Sequence, residues 1–185
     1  DHSDPDNLCS KFSQSHIDRI LQSMYGAPVN VLNFEGYSPL HLAVLMSNVL
    51  IVKHLLTCLK NRISVNIRGR LNKTPLHVAI ENGHEEIIEM LLKAPQILVN
   101  ERDFFNRTPL YIASEKGHDK VVKKLLEFPG IQINIKDGSG RTSLHIASEK
   151  DHDKVVRELL NSAGILINER SIFQWTPLYI ASENG

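Results

Sequence analysis

The stretch TPLHVA, residues 74–79, decides the fold because related copies of it recur along the chain. In chain order the five copies are SPLHLA from Ser38, TPLHVA from Thr74, TPLYIA from Thr108, TSLHIA from Thr142 and TPLYIA from Thr176. Successive copies begin 36, 34, 34 and 34 residues apart. A fixed period of this length is typical of a supersecondary unit whose copies bury their apolar faces against one another. Positions that all copies share are therefore expected to be structural, and positions that differ are expected to carry function.

A helix start opens each copy. The hydroxyl residue at its first position suits a helix N-cap, and Pro follows it in four of the five copies. Leu and Ala then follow at a spacing of three residues, which places both on one face of the helix. The left-handed turn that ends a helix is predicted four residues beyond each Ala, at Ser47, Gly83, Gly117, Asp151 and Gly185.

A second helix is predicted in the first four copies. Its apolar residues recur in pairs at helical spacing, and the charged residues between them indicate a solvent-facing side. The pairs, which are expected to build the core, are Ile51, Val52, Leu55 and Leu56; Ile87, Ile88, Leu91 and Leu92; Val121, Val122, Leu125 and Leu126; and Val155, Val156, Leu159 and Leu160.

The chain resembles the ankyrin repeat family. The resemblance rests on the T-P-L-H-x-A helix start, the Gly-His turn at residues 83–84 and 117–118, the paired leucines and the Val-Asn step that begins each repeat, which reads Ile-Asn in the fourth and fifth repeats. It implies an all-α fold with short β-hairpin turns, in which helix-turn-helix units stack into a solenoid. It also implies a concave surface of hairpin tips and first helices, whose usual activity is to bind another protein.

The period predicts a domain organisation. Residues 1–28 form a polar lead and an N-terminal capping helix over 16–24; the repeats then cover 29–64, 65–98, 99–132 and 133–166, with a truncated fifth repeat over 167–185. Two additional residues in the first repeat predict a projecting loop near residues 58–62. Because repeat arrays need a polar cap and this one stops on a first helix, the sequence is expected to belong to a longer array.

Three hairpins depart from the family pattern at the position where a Gly is usual. Asn72, Asn106 and Gln174 stand there. Asn tolerates a left-handed backbone better than Gln does, so a distorted hairpin is expected around Gln174.

The resemblance also implies that the Asn of each Val-Asn step can be a substrate of an asparaginyl hydroxylase. Its primary role is expected to be structural, as a bridge between neighbouring hairpins. The five residues are Asn30, Asn66, Asn100, Asn134 and Asn168.

Composition excludes several classes of function. Lys plus Arg and Asp plus Glu number 21 each, so the chain has no net charge that would attract nucleic acid or an anionic membrane. No apolar run is long enough to span a bilayer, and residues 1–7 lack the basic and apolar regions of a secretory signal. We therefore expect an intracellular protein, in the cytoplasm or alternatively the nucleus, with Cys9 and Cys58 reduced.

Nine histidines raise the question of a metal or catalytic site. Six of them occupy two repeat positions, namely His41, His77 and His145, and His84, His118 and His152. The family resemblance implies that the first set hydrogen-bonds around the capping hydroxyl. Equivalent side chains in stacked repeats lie about 10 Å apart, whereas bonds to zinc are about 2 Å. No phosphate-binding loop, dinucleotide fingerprint or nucleophile elbow is present, so we expect no catalytic residue, no cofactor and no metal.

The variable positions form columns of similar character. The second residue after each repeat Asn is basic in four of five copies, the seventh is basic in the middle copies and aromatic at the ends, and the fifteenth is Glu in four copies. Part of the basic and acidic columns is expected to pair with itself, at about 0 to 1 kcal/mol for an exposed pair. The predicted partner-binding residues are Tyr37, Arg68, Arg102, Phe104, Phe105, Arg107, Lys136, Arg141, Arg170, Phe173, Trp175, Glu81, Glu115 and Glu149.

The predicted hairpin tips are unusually apolar. Four or five residues after the repeat Asn lie Phe34, Leu71, Phe104, Phe105, Ile172 and Phe173. Aromatic groups at exposed tips, flanked by Arg, have the composition of interface hot spots, although the rings could instead fold back on adjacent hairpins. The sequence therefore predicts a monomeric, non-enzymatic interaction module for a protein or peptide that is acidic and carries apolar anchors.

Two rival functions remain open. Basic columns with interleaved aromatics suggest nucleic acid, but the neutral net charge and the Glu column argue against it. The repeats could also recruit substrate for, or regulate, a larger enzyme or effector of which they are one domain, since repeat arrays accompany many activities.

Overall fold

The computed structural model of the chain describes residues 29–58 and 62–184. The predicted lead and capping helix, the centre of the predicted projecting loop and Gly185 lie outside these residues. The described helices are α1 (Pro39–Leu45), α2 (Val49–Cys58), a 3-10 turn (Arg70–Asn72), α3 (Pro75–Glu81), α4 (Glu85–Leu92), α5 (Pro109–Glu115), α6 (Asp119–Leu126), α7 (Ser143–Glu149), α8 (Asp153–Leu160) and α9 (Pro177–Asn184). No strand forms within the described residues. The two-helix unit predicted for the first four repeats is confirmed.

Each first helix begins at the predicted hydroxyl cap. At α3, the Oγ1 of Thr74 accepts from the backbone N–H of His77, and the Nδ1 of His77 accepts from the backbone N–H of Thr74 at 3.1 Å. This reciprocal arrangement satisfies two donors that a helix start would otherwise leave unpaired. The same reciprocal cap forms at Ser38 with His41 and at Thr142 with His145, which confirms the structural role expected for these histidines.

Left-handed residues end the first helices as the sequence predicts. The φ angles are 51° at Ser47, 71° at Gly83, 72° at Gly117 and 57° at Asp151. The backbone reverses at these residues, and the second helix follows within three residues.

Contacts divide the chain into two compact units. In unit 1, described over residues 29–58, 62–70 and 74–97, α1 packs on α2 and α3, and α4 packs on α2 and α3. At least one member of each predicted apolar pair is buried in its core, which includes Leu40, Val52, Leu55, Leu76, Ile80, Ile88 and Leu91, while Ile51, Leu56 and Leu92 are half-buried.

Unit 2 comprises residues 71–73 and 98–184 of the described chain. Its central helix α7 lies between α5 and α9, while α6 packs on α5 and α8 packs on both α6 and α7. Its buried apolar side chains include Leu110, Tyr111, Ile112, Val122, Leu125, Leu144, Ile146 and Leu159.

The Asn of the Val-Asn step bridges to the chain one repeat later. Asn100 donates from Nδ2 to the carbonyl of Gly130 at 2.8 Å, and its Oδ1 accepts from the N–H of Gln132 at 2.9 Å. Asn30 and Asn134 make the same pair of hydrogen bonds with the loops that follow them. The expected bridging role is therefore confirmed.

The hairpin around Gln174 is not distorted, and that expectation is wrong. Gln174 adopts φ 64°, close to the 60° of Asn106 and the 73° of Gly140 at equivalent positions. Its N–H donates to the carbonyl of Ser171 at 2.9 Å, as Asn106 donates to Asp103. A non-glycine residue in this region costs about 1 to 2 kcal/mol, which the hydrogen bonds of the hairpin offset.

Replacing Asn100 with Ala should lower the free energy of unfolding by about 1 to 3 kcal/mol, because it leaves two backbone groups without their partner. Chemical denaturation followed by circular dichroism measures the change. Gln132→Ala is the matched control, since that exposed amide makes no side-chain hydrogen bond in the described chain. Equal stability losses in the two variants would contradict a bridging role.

Acid should destabilise unit 2 through His145. Burial lowers the pKa of His145 below its ordinary value of 6.5. The unfolded chain therefore binds a proton more readily than the folded chain, so stability is greatest above pH 6.5 and falls as the pH drops below it. His145→Tyr, which installs the residue found at the equivalent position 111, should flatten the dependence of the melting temperature on pH between 7.5 and 5.5. An unchanged slope would show that His145 does not contribute.

Candidate functional site

The hairpin tips of unit 2 are held by short acidic side chains. The Oδ1 of Asp103 accepts from the N–H groups of Phe105 and Arg107, both at 2.9 Å. Asp137 accepts in the same way from Ser139 and Arg141. Each carboxylate thus fixes the backbone of the tip that follows it, as an Asx turn does.

Main-chain hydrogen bonds also join successive tips. The N–H of Gly138 donates to the carbonyl of Phe105 at 3.0 Å, and the N–H of Ile172 donates to the carbonyl of Ser139 at 3.0 Å. The three tips of residues 103–107, 137–141 and 171–175 are therefore connected by their backbones. We call these three segments the tip row.

Arg107 lies between two carboxylates. Its guanidinium is 2.8 Å from the Oδ2 of Asp103 and 3.2 Å from the Oε2 of Glu115. The Asp103 side chain is fully buried, so this pair is shielded from solvent more than an exposed ion pair would be. The same guanidinium lies 5.1 Å from the centre of the Phe105 ring, a cation–π distance.

Arg141 repeats this arrangement one copy later. It is 3.1 Å from the Oδ2 of Asp137 and 2.8 Å from the Oε2 of Glu149. The hydroxyl of Tyr111 also donates to Asp137, at 2.9 Å. Burial, with the charge of Asp137, raises the pKa of Tyr111, so its hydroxyl remains a donor at neutral pH.

These pairs change the interpretation of the basic column. The self-pairing expected of the basic and acidic columns is confirmed in the third and fourth repeats. Arg107 and Arg141 each form ion pairs with two carboxylates of their own chain, which compensate the charge of the guanidinium group. The sequence predicted that these arginines would instead contact an acidic partner. Each cluster of two carboxylates and one guanidinium carries a net charge of about −1 at neutral pH.

The fifth repeat breaks the pattern. Ser171 replaces the Asp and Trp175 replaces the Arg, while Glu183 keeps the acidic position. The Ser171 Oγ accepts from the N–H of Trp175 at 3.3 Å, so the turn is kept. The Trp175 ring lies 5.4 Å from that of Phe173 and 5.8 Å from that of Tyr179, with tilts of 38° and 31°. A continuous row of three aromatic rings results.

Two clefts open beside the tip row. The first, of about 290 Å³, is lined by Ser139, Arg141, Glu149, Ser171, Phe173, Trp175, Tyr179, Ile180 and Glu183. The second, of about 400 Å³, lies between the tips of the third and fourth repeats and is lined by residues of both clusters, together with Phe104, Phe105 and Asn106. Both clefts combine apolar rings with charged side chains, a combination that suits recognition of an amphipathic group.

The remaining predicted site residues are more dispersed. Tyr37, Arg68 and Glu81 lie in unit 1, with Tyr37 partly buried and its ring 6.3 Å from that of His41. In unit 2, Lys136 pairs with Glu169 at 2.6 Å, and the side chains of Arg102 and Arg170 are exposed. Unit 2 therefore brings together the tip residues and the acidic column of the third to fifth repeats.

Several residues of this site were not among those predicted. Asp103 and Asp137 orient the arginines, and Tyr179 completes the aromatic row. The sequence does contain a pattern that could have identified the two aspartates. The third residue after each repeat Asn is Asn, Gly, Asp, Asp and Ser in the five repeats. Asp and Arg change together between the fourth and fifth repeats, which marks them as partners.

Neither metal nor membrane features are found in the part of the chain that the structure describes. No group of three or more His, Cys, Asp or Glu side chains there is arranged to hold a metal ion. No helix among residues 29–58 and 62–184 combines the length and apolar character needed to cross a bilayer.

Arg107→Ala should lower the free energy of unfolding by about 1 to 3 kcal/mol, because it leaves the buried carboxylate of Asp103 without its counter-ion. Arg102→Ala, in the same repeat but exposed, should change stability by less than about 0.5 kcal/mol. Denaturant titrations of both variants test this difference. If Arg107→Ala proves as mild as Arg102→Ala, the cluster does not stabilise the tip.

Comparison with known proteins agrees with this architecture. A family model described as ankyrin repeats, in three copies, matches residues 8–103, 68–137 and 110–185. The chain is also 37% identical over 82 residues to the SMC5-SMC6 complex localization factor protein 1 of Bos taurus, an alignment that covers 43% of this chain and 8% of that protein. The chain thus spans less than a tenth of the length of this relative. With its capped helix pairs recurring at a fixed period and its asparagine bridges, the chain belongs to the ankyrin repeat family.

Proposed function

We propose that this chain is a protein-binding module that recognises its partner through the tip row of its third to fifth repeats. Ankyrin repeats are general protein–protein interaction modules. The observation that carries the proposal is the exposure of the large apolar side chains at the tips. Phe104 is 69% exposed and Phe173 is 64% exposed. Adjacent apolar groups at the surface mark interaction sites more often than single scattered ones do.

Local packing covers only part of the surface of these aromatic rings. Phe104 and Phe105 meet edge to face, with centroids 5.4 Å apart, and Phe173 contacts Trp175. These contacts orient the rings, yet all four side chains remain exposed. Aromatic anchors that are oriented before binding lose little conformational entropy when a partner covers them.

The backbone of the tip row supports the same proposal. Each tip is closed by its own hydrogen bonds and is joined to the next tip by another. The helices α5, α7 and α9 hold these tips on a packed scaffold. A surface that keeps its shape when free binds with a smaller ordering cost than a mobile loop does.

The ion pairs within the tip row change the kind of partner that we propose. The acidic partner expected from the sequence relied on the basic columns, of which the two clusters compensate Arg107 and Arg141, whereas Arg102 and Arg170 are exposed. With Arg107 and Arg141 paired internally, the carboxylates outnumber the guanidinium groups in both clusters, which disfavours phosphate backbones as well. We therefore propose a protein or peptide partner with apolar anchors and without a requirement for acidic groups.

The similarity to the bovine protein supports a role in which the repeats recruit another protein by binding it. That protein is a localization factor of the SMC5-SMC6 complex by name, and its length far exceeds that of this chain. We therefore propose that the repeats act as a non-catalytic, monomeric docking domain, which would recruit a protein complex or enzyme substrate. The intracellular location expected from the sequence, cytoplasmic or nuclear, is part of this proposal.

Quantitative affinity purification from cell extract tests the tip row. The double variant Phe104→Ala and Phe105→Ala should reduce capture of the specific partner by about tenfold or more, because it removes two candidate anchors. The matched control is Lys120→Ala with Lys123→Ala, which alters two exposed residues of α6. Melting curves should show that both variants fold. Identical protein sets captured by the tip variant, the control and the unmodified chain would overturn the proposal.

A further inference from the structure

The fifth repeat keeps an acidic residue but lacks the arginine that pairs with it in earlier repeats. In the third repeat Glu115 is paired with Arg107, and in the fourth Glu149 is paired with Arg141. The equivalent of these arginines is Trp175, which lies beside the acidic position of Glu183. Among residues 29–58 and 62–184, no cation forms an ion pair with Glu183.

The cleft of about 290 Å³ occupies this part of the fifth repeat. One wall is the aromatic row of Phe173, Trp175 and Tyr179, and the carboxylates of Glu149 and Glu183 also line it. An aromatic wall and a carboxylate in one cleft match the two recognition features of a guanidinium group, which stacks on rings and donates paired hydrogen bonds.

We propose that this cleft binds an arginine side chain of the partner protein, which takes the role that the chain's own arginine has in the third and fourth repeats. This inference rests on the proposed function and names the chemistry of one contact within it. The partner segment would thus be basic at this position, with apolar groups available for the neighbouring tips.

The third repeat shows the same chemistry within one molecule. The guanidinium of Arg107 lies 5.1 Å from the centre of the Phe105 ring while it pairs with Glu115 at 3.2 Å. An arginine from a partner would meet both kinds of group in the fifth repeat, with Trp175 or Tyr179 as the ring and Glu183 as the carboxylate. Trp is the ring that attracts a cation most strongly.

One positive side chain also lines the cleft and must be considered. Arg141 faces it, but this guanidinium is paired with Asp137 and Glu149. Those three groups and Glu183 sum to a charge of about −2 at neutral pH, and Lys150, whose Nζ lies 4.0 Å from the Oε1 of Glu149, brings the total to about −1. A cation therefore remains favoured there.

Arginine is favoured over lysine by the aromatic wall. All three residues of the row remain exposed, at 64% for Phe173, 46% for Trp175 and 45% for Tyr179, so aromatic surface is available for a ligand to stack on. A planar guanidinium can stack on such a surface and still direct N–H groups at a carboxylate, whereas an ammonium group is compact and more strongly hydrated.

Trp175 makes the test direct because it is the only tryptophan of the chain. The full 185-residue chain, labelled with ¹⁵N, would be titrated with the peptide acetyl-Ala-Ala-Arg-Ala-Ala-amide while the single indole N–H resonance is followed. Peptides with lysine or citrulline at the central position serve as comparisons. We expect a saturable shift with arginine, a weaker one with lysine, and a loss of about tenfold or more in affinity with citrulline, which has nearly the same shape but no charge.

Variants separate the two recognition features. Glu183→Gln should weaken binding of the arginine peptide by about fivefold or more, while Glu127→Gln, the same change at the exposed C-cap of α6, should leave it unchanged. The double variant Ser171→Asp with Trp175→Arg restores the cluster of the earlier repeats. It should abolish binding, measured by anisotropy of a fluorescein-labelled arginine peptide, and should not lower the melting temperature.

Each result decides the inference separately from the proposed function. No shift of the indole resonance, equal affinity for arginine and citrulline, or tighter binding of lysine would overturn the arginine site. If partner capture still depends on Phe104 and Phe105 in that case, the tip row remains the binding surface and only its arginine contact is wrong. If the arginine peptide binds as expected but the Phe104 and Phe105 variant captures its partner as well as the unmodified chain does, the proposed function is wrong and the arginine site is supported.

Discussion

Within each compact unit, the structure depends on the burial of a first helix by the first helix of the next repeat. The equivalent leucines in unit 2 show this directly: Leu110 is 1% exposed and Leu144 is 3% exposed, whereas Leu178, on α9, is 76% exposed. The three residues occupy the same position of the same motif, and they differ in whether another described helix covers them. Burying a leucine side chain contributes about 1.5 to 3 kcal/mol, and this contribution comes from the neighbour rather than from the repeat itself.

That constraint explains why so much of the fold could be predicted from the sequence. Helix caps, helix ends and paired apolar residues each appear four or five times, so a signal that is weak in one copy is supported by the others. The helix at Thr142 begins at the predicted residue although Ser143 replaces the Pro, and the N–H of Thr142 donates to the Nδ1 of His145 at 3.1 Å. The conformation of Gln174 could not be predicted from propensity, since the hydrogen bonds of the hairpin override it.

The candidate site was less predictable, because its residues meet only in three dimensions. Asp, Arg and Glu of one cluster lie at the third, seventh and fifteenth residues after the repeat Asn, and they come from two different parts of the repeat, the hairpin tip and the end of the first helix. Each column therefore suggested its own role, and the basic column suggested an acidic partner. In the structure Asp103 and Asp137 lie beside Arg107 and Arg141, so these two arginines stabilise the hairpin tips. The fifth repeat is informative because it lacks this arrangement.

The asparagine bridges have a consequence for how such a protein can change length during evolution. Each repeat presents an amide side chain on one side and, through the loop that precedes its own Asn, the carbonyl and N–H groups that the previous amide needs. The junctions made by Asn30, Asn100 and Asn134 thus have the same chemistry, with a side-chain amide on one side and a backbone carbonyl and N–H on the other. Duplication or deletion of a whole unit would recreate a complete junction, so the array can grow or shrink while the recognition groups on each tip diversify independently.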